Sequence, residues 1–162
     1  MREGGKRPIR NGGGSSDEMR RAFAVQTPQG TFDGLDLALL DPADDDDRAL
    51  LIRAEHPELA QAIERGDQEI VVDDQAIDPT LHLTIHEIVA KQLWDDDPPE
   101  VWQTANRLLE AGYERHEILH MLGWAFATNV RAAFEENDPG DSGYVRALAL
   151  LPTTWEQQHP SA

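Results

Sequence analysis

DPTLHLTIHEIVAKQLW, residues 78–94, is the most strongly patterned part of this 162-residue chain and predicts a helix. Asp78 is suited to cap that helix, and Pro79 to occupy its first turn, where a missing N–H has no consequence. Apolar residues recur every three or four positions, and His82 and His86 extend this apolar face. Because the two histidines are four positions apart, they lie on one side of the helix. The segment therefore predicts a core helix that carries two neighbouring imidazoles.

A second helix, predicted over residues 114–137, carries His116 and His120 at the same spacing. Here the string reads H-E-x-x-H, a pattern that places two zinc ligands and a general base, Glu117, on one helical turn. Six histidines placed at random would give two such pairs about one time in fifty. Each pair lies near the start of its helix, where the helix dipole favours the neutral imidazole that binds metal. We therefore expect the two pairs to form one metal site.

A structural role for the histidines is the competing interpretation. A histidine on an apolar face is often a core residue bonded to a backbone carbonyl, and H-E-x-x-H also occurs by chance. Buried imidazoles without partners would cost roughly 1–3 kcal/mol for each unsatisfied nitrogen, which an ion or a dense hydrogen-bond network would offset. One hypothesis is thus a small metal-binding helical protein, and another is an acidic interaction protein with structural histidines and no metal.

The ligand set restricts the metal. The chain has no cysteine, so only nitrogen and oxygen ligands are available. Four imidazoles suit one or two divalent ions, and we expect zinc or iron. Glu87 directly follows one candidate ligand, and it is suited either to orient a ligand ring or to bind the metal itself.

A metal-dependent hydrolase or peptidase is the third hypothesis, and the sequence leaves open whether the protein is an enzyme. Glu117 would then act as general base on a zinc-bound water, with a third ligand from elsewhere in the chain. In metzincin peptidases a third histidine stands where this chain has Phe126, so that family is not supported.

Composition limits the partners and the location. With 14 basic and 31 acidic residues the net charge is −17, which would repel nucleic acid and anionic membrane surfaces. The chain contains no apolar run of the length that spans a bilayer. We expect a cytoplasmic protein without nucleic-acid or membrane partners, and its other partners are unknown. A homo-oligomer is compatible with the sequence.

The organisation of the chain follows from its helix signals. We predict a mainly α-helical fold, a small helical bundle with a flexible N-terminal tail. Residues 1–44 form the flexible region, 45–152 the helical domain and 153–162 a C-terminal tail. Further helices are predicted over 47–65, interrupted at Pro57, over 98–111 and over 144–151, and a short strand over 69–72.

Five segments together resemble DUF1841, a bacterial family of unknown function. In order they are DPTLHLTIHEIV (78–89), QL (92–93), DPPEV (97–101), RLL (107–109) and GYERHEILH (112–120). The resemblance extends over about residues 78–130. It implies no activity, but it supports treating His82, His86, His116 and His120 as one unit.

Overall fold

The computed structural model describes the backbone of residues 11–72, 74–136 and 141–159, and the side chains of 16–72, 74–135 and 143–159. The described residues form eight α-helices: α1 (Asn11–Ala24), α2 (Asp45–Glu55), α3 (Pro57–Glu64), α4 (Pro79–Asp95), α5 (Pro99–Glu110), α6 (Arg115–Glu136), α7 (Asp141–Ala149) and α8 (Thr153–Gln158). Two antiparallel hairpins pair β1 (Thr31–Phe32) with β2 (Leu35–Asp36) and β3 (Ile70–Val72) with β4 (Gln75–Ile77). A 3₁₀ turn spans Leu37–Leu39. The predicted mainly α-helical fold is confirmed.

Helix α4 lies at the centre of the molecule, in contact with α1, α2, α3, α5 and α6. It begins where the sequence predicts, because the Asp78 carboxylate accepts a hydrogen bond from the Leu81 amide at 3.1 Å and Pro79 occupies the first turn. Val89 and Leu93 on α4 are almost fully buried, so the helix presents its apolar face to the core. Among the described residues, no helix has both the length and the hydropathy needed to span a membrane.

The predicted helix over residues 47–65 is two helices, α2 and α3, which meet at His56. Pro57 has no amide hydrogen to continue the helical ladder, and it instead occupies the first turn of α3. His56 has φ −127° and ψ 61°, and its amide donates to the Arg53 carbonyl. The chain changes direction here, which aims the His56 side chain differently from those of a continuous helix.

Residues before 45, the predicted start of the helical domain, also contribute to the core. Phe23, Ala24 and Leu37 belong to the buried core, and α1 packs against α4. Arg20 is also buried, and its guanidinium donates to the Leu93 carbonyl at 2.8 Å and the Trp94 carbonyl at 3.3 Å. A cation is favourable at these last carbonyls of α4, where the helix dipole is negative, so Arg20 stabilises the packing of α1 against α4. Part of the segment predicted to be flexible, residues 1–44, is thus packed against the bundle; residues 1–10 lie outside the described part of the chain.

Residues 153–158, within the segment predicted as a C-terminal tail, form α8. Trp155 of α8 lies 6.1 Å from Trp124 of α6, ring centroid to ring centroid, in an edge-to-face arrangement. Upstream, the Arg107 guanidinium donates to the carbonyl of Leu151 at 2.7 Å. Aromatic packing thus brings the C-terminal helix back onto the domain.

The predicted strand over residues 69–72 is present as β3. Its partner β4 follows directly, with Ile70 opposite Ile77. Val72 and Ile77 line the same two cavities as His82 and His120. The hairpin therefore forms a wall beside the histidine pairs.

Candidate metal centre

Four histidines from three parts of the fold bring their ring nitrogens together. His82 and His86 come from α4, His120 from α6 and His56 from the junction of α2 and α3. One ring nitrogen of each lies within 4.8 Å of those of the other three. Bonds of about 2.1 Å to one tetrahedral ion would set its ligand nitrogens about 3.4 Å apart. The most distant rings must therefore approach by up to about 1.4 Å to close the site. We call these four residues the histidine cluster.

His56 has a ring orientation suited to a metal ligand. Its Nδ1 lies 2.9 Å from the Ile52 carbonyl, one turn earlier in α2. A carbonyl only accepts, so Nδ1 carries the hydrogen and Nε2 of the neutral ring carries the free lone pair. That Nε2 is buried and has no hydrogen-bond partner among the described residues. Metal-binding histidines usually donate their other N–H to a carbonyl or carboxylate in this way.

The other nitrogens of the cluster are also poorly satisfied. His82 Nε2 and His86 Nε2 lie 3.0 Å apart. For a hydrogen bond between two neutral rings, one ring must carry its single N–H at Nε2 and donate it to Nε2 of the other. His120 Nε2 is buried without a partner in the described structure. Rings of His56 and His86 have centroids 4.3 Å apart, and those of His86 and His120 are 5.2 Å apart. The ring nitrogens thus lie close together, and the described structure leaves two of the cluster's buried nitrogens without a hydrogen-bond donor or acceptor.

The environment lowers the pKa of three of these rings, those of His82, His86 and His120. Burial, reinforced by the neighbouring imidazoles, lowers the pKa of His86 to about 2 and that of His120 to about 4. Burial is also the main cause that lowers the pKa of His82, and the nearby His56 and His116 imidazoles lower it further. Because protonated imidazole cannot bind a metal, these lowered pKa values favour the binding-competent neutral form of the three rings at neutral pH.

Gly123 brings the two histidine helices together. It is three residues after His120 on α6, and it faces Ile85, which immediately precedes His86 on α4. A Cβ at Gly123 would lie 2.9 Å from Ile85 Cγ2, closer than carbon atoms pack. The missing side chain therefore permits the close approach of α4 and α6 beside the cluster.

His116 lies beside the cluster and is not one of its four members. Its ring centroid is 4.3 Å from that of His120 and 5.9 Å from that of His56. The residue is exposed, and burial, His56 and Arg115 lower its pKa. Three of the four histidines predicted from the sequence are thus in the cluster, and His56 stands where His116 was expected.

Neither predicted carboxylate belongs to the cluster. Glu87 is half-buried in a separate cavity between α2 and α4, which it lines with Asp45 and Lys91. Burial raises its pKa. Glu117 is exposed beside Tyr113, whose pKa is raised by its hydrogen bond to Glu156 and in part by the nearby Glu117 charge. Neither residue belongs to the group of converging ligand atoms.

His56 is the site residue that sequence reasoning missed. It has no partner at helical spacing, and the three residues Glu55-His56-Pro57 read as a helix break. The signal that was present is the histidine immediately before a proline that starts a helix. Such a break frees the side chain to turn towards a neighbouring helix, but which helix that is depends on the tertiary fold.

Comparison with known proteins places the chain in a family. No curated protein and no solved structure matches it. The model of one family, described as a domain of unknown function, DUF1841, matches residues 16–149. The match includes the whole of the histidine cluster and extends well beyond the 78–130 resemblance seen in the sequence. The chain therefore belongs to the DUF1841 family.

Proposed function

We propose that this protein binds one divalent transition-metal ion, zinc or iron, through His56, His82, His86 and His120. Two observations carry the proposal: one ring nitrogen from each of four histidines lies within 4.8 Å of the others, and the same group includes two buried nitrogens, His56 Nε2 and His120 Nε2, without a hydrogen-bond partner in the described structure. Leaving such nitrogens unsatisfied costs roughly 1–3 kcal/mol each. An ion would satisfy all four together.

The ligand chemistry supports a borderline metal over a hard one. Four neutral imidazoles are typical ligands of zinc, iron, nickel or copper, whereas calcium and magnesium prefer oxygen. A single ion is favoured over a pair because neither Glu87 nor Glu117 belongs to the cluster, and carboxylates are the usual bridges of two-metal bundle sites. The protein's net charge of −17 would also attract cations to its surface.

Hydrolysis through Glu117 is not part of this proposal. A general base must reach the metal-bound water directly or through one further water. Glu117 is exposed near Tyr113 and is absent from the group of converging ligands. The H-E-x-x-H string therefore supplies His120 to the cluster without the carboxylate geometry of a hydrolase.

The test is the metal content of tag-free protein, per chain, in wild type and two matched variants. His56→Gln removes a ligand of the proposed site. His116→Gln is the control, because it changes a nearby histidine outside the cluster. We expect about one equivalent of zinc or iron in wild type and His116→Gln, and a loss of metal in His56→Gln. Circular dichroism would establish that all three proteins are folded.

Two outcomes would contradict the proposal. Loss of metal in His116→Gln with retention in His56→Gln would support the ligand set expected from the sequence over the one proposed here. Folded wild-type protein without metal, even after incubation with zinc and ferrous iron, would favour structural histidines. The acidic interaction protein would then become the better hypothesis.

A further inference from the structure

A cavity of about 400 Å³ opens beside the histidine cluster, between α4, α6, α8 and the β3–β4 hairpin. His82, His86 and His120 form its polar end. Its walls include Ile85, Trp124 and Trp155, and Gly123 leaves part of its floor without a side chain. Small-molecule sites in proteins are roughly 300–1,000 Å³ in volume, mostly apolar and aromatic, with a few polar groups at one place. The cavity has this composition.

The charge around the cavity selects the kind of ligand. The described lining contains no Asp, Glu, Lys or Arg side chain; its polar groups come from Gln75, from histidines including His159, and from the tryptophan indole N–H groups. An ion held by four neutral imidazoles would keep its full positive charge at the end of this apolar space. Such an ion attracts an anion strongly in a medium of low polarity. Zinc can accept a fifth ligand, so a further donor is compatible with the four histidines.

A second cavity at the cluster is less suited to an anion. The second cavity that reaches His56, His82 and His120 is smaller, about 250 Å³, and Glu55 and Glu58 line it. Carboxylates there would repel an anionic ligand and favour the approach of a cation. The two openings therefore differ in charge.

We propose that the 400 Å³ cavity binds a small carboxylate with an aromatic body, whose carboxylate contacts the metal ion while the ring lies against Trp124 and Trp155. This inference rests on the proposed metal site. The two tryptophan rings lie 6.1 Å apart, edge to face, and His159 stacks on one face of Trp155 at 3.8 Å. A planar apolar group would therefore lie against Trp124 and the Trp155 face away from His159. The apolar body would provide affinity, and the ion would select for the negative charge.

Cobalt-loaded protein provides the test, because the visible spectrum of Co²⁺ changes when a new ligand binds. Phenylacetate, acetate and benzyl alcohol are titrated separately, so that the ring and the charge are varied in turn. We expect saturable spectral changes with phenylacetate at concentrations roughly tenfold or more below those needed with acetate, since one methylene alone is worth about tenfold in an apolar pocket. Benzyl alcohol should bind more weakly than phenylacetate.

Ala127→Phe tests the location. Ala127 is half-buried on α6 and lines the cavity without belonging to the histidine cluster. A phenyl group there would occupy the space, so phenylacetate should lose its advantage over acetate while cobalt still binds. Ala132→Phe is the matched control: this half-buried alanine of the same helix lies outside the cavity lining. It should leave phenylacetate binding unchanged.

The outcomes separate the two proposals. Cobalt bound at one equivalent, with phenylacetate no tighter than acetate in wild type, overturns the ligand pocket and leaves the metal site standing. Phenylacetate binding that survives Ala127→Phe also overturns the location. Wild-type protein that binds no cobalt overturns both the metal site and the ligand proposed for it.

Discussion

Gly123→Ala is the substitution that most directly probes how the two histidine helices are held together. In an unrestricted helix, alanine is more stable than glycine by about 1 kcal/mol. Here the added methyl would lie 2.9 Å from Ile85 Cγ2, whereas carbon atoms pack at about 3.5–4.0 Å. Either α4 and α6 must separate by roughly half an ångström, or Ile85 must leave its rotamer.

The expected effects follow from that overlap. Overpacking costs about 1–3 kcal/mol, so after the helix-propensity gain we expect a net loss of roughly 0–2 kcal/mol in the free energy of unfolding. Because the contact lies beside His86 and His120, their nitrogens would also move apart. We expect zinc affinity to fall roughly 10–100-fold, the scale seen when metal ligands lose their supporting contacts.

Urea unfolding of the metal-free protein and competitive zinc titration measure the two effects. The control is Gly123→Ala combined with Ile85→Ala, which removes the obstructing methyl. A double-mutant cycle should then give a favourable coupling energy of about 1–2 kcal/mol and at least partial recovery of zinc affinity. Gly123→Ala that is more stable than wild type, with unchanged zinc affinity, would refute this account of the helix contact.

Two further predictions concern the protonation of the cluster histidines and the contacts that Arg115 makes with Phe23 and Glu55. In metal-free protein, the histidines of the unfolded state bind protons as the pH falls below about 6.5, whereas folding lowers the pKa of His120 to about 4 and that of His86 to about 2. The contribution of these groups to the free energy of unfolding should therefore be complete above about pH 6.5. Below that pH it should decline by up to about 1.4 kcal/mol per pH unit for each group. Urea unfolding at pH 7, 6 and 5 measures this slope, and an equally steep slope in His120→Gln would count against it. Arg115→Met should lower the free energy of unfolding by about 2–4 kcal/mol, because the guanidinium donates to the Phe23 carbonyl at 2.6 Å and pairs with the mostly buried Glu55 at 3.4 Å. Equilibrium unfolding at pH 7 checks it, and a change below about 0.5 kcal/mol, as at an ordinary surface site, would exclude the anchoring role.

Local patterns predicted the central part of the fold well. The cap at Asp78 and the proline after it are signals within one helical turn, and α4 begins where they indicate. The spacing of His82 and His86 likewise places both rings on one face whatever the rest of the chain does, because four residues make about one helical turn. Such features depend on neighbours in sequence, so sequence alone is enough to find them.

Features that depend on distant contacts were missed. In the sequence, Arg20 resembles a residue of a polar tail. Its structural role comes from hydrogen bonds to the carbonyls of Leu93 and Trp94, more than 70 positions away. His56 has no periodic signal, and only the turn at Pro57 brings it to the other histidines. His116 shares its helix face with His120 by spacing, but its position at the exposed start of α6 leaves it at the edge of the cluster.

The most direct test of the proposed metal site is X-ray absorption spectroscopy of the zinc-loaded protein. We predict four nitrogen ligands at about 2.0–2.1 Å with the multiple-scattering pattern of imidazole. We also predict that His56→Gln reduces the imidazole count. A first shell made mainly of oxygen, or a second metal at about 3.5–4 Å, would contradict a single ion held by His56, His82, His86 and His120.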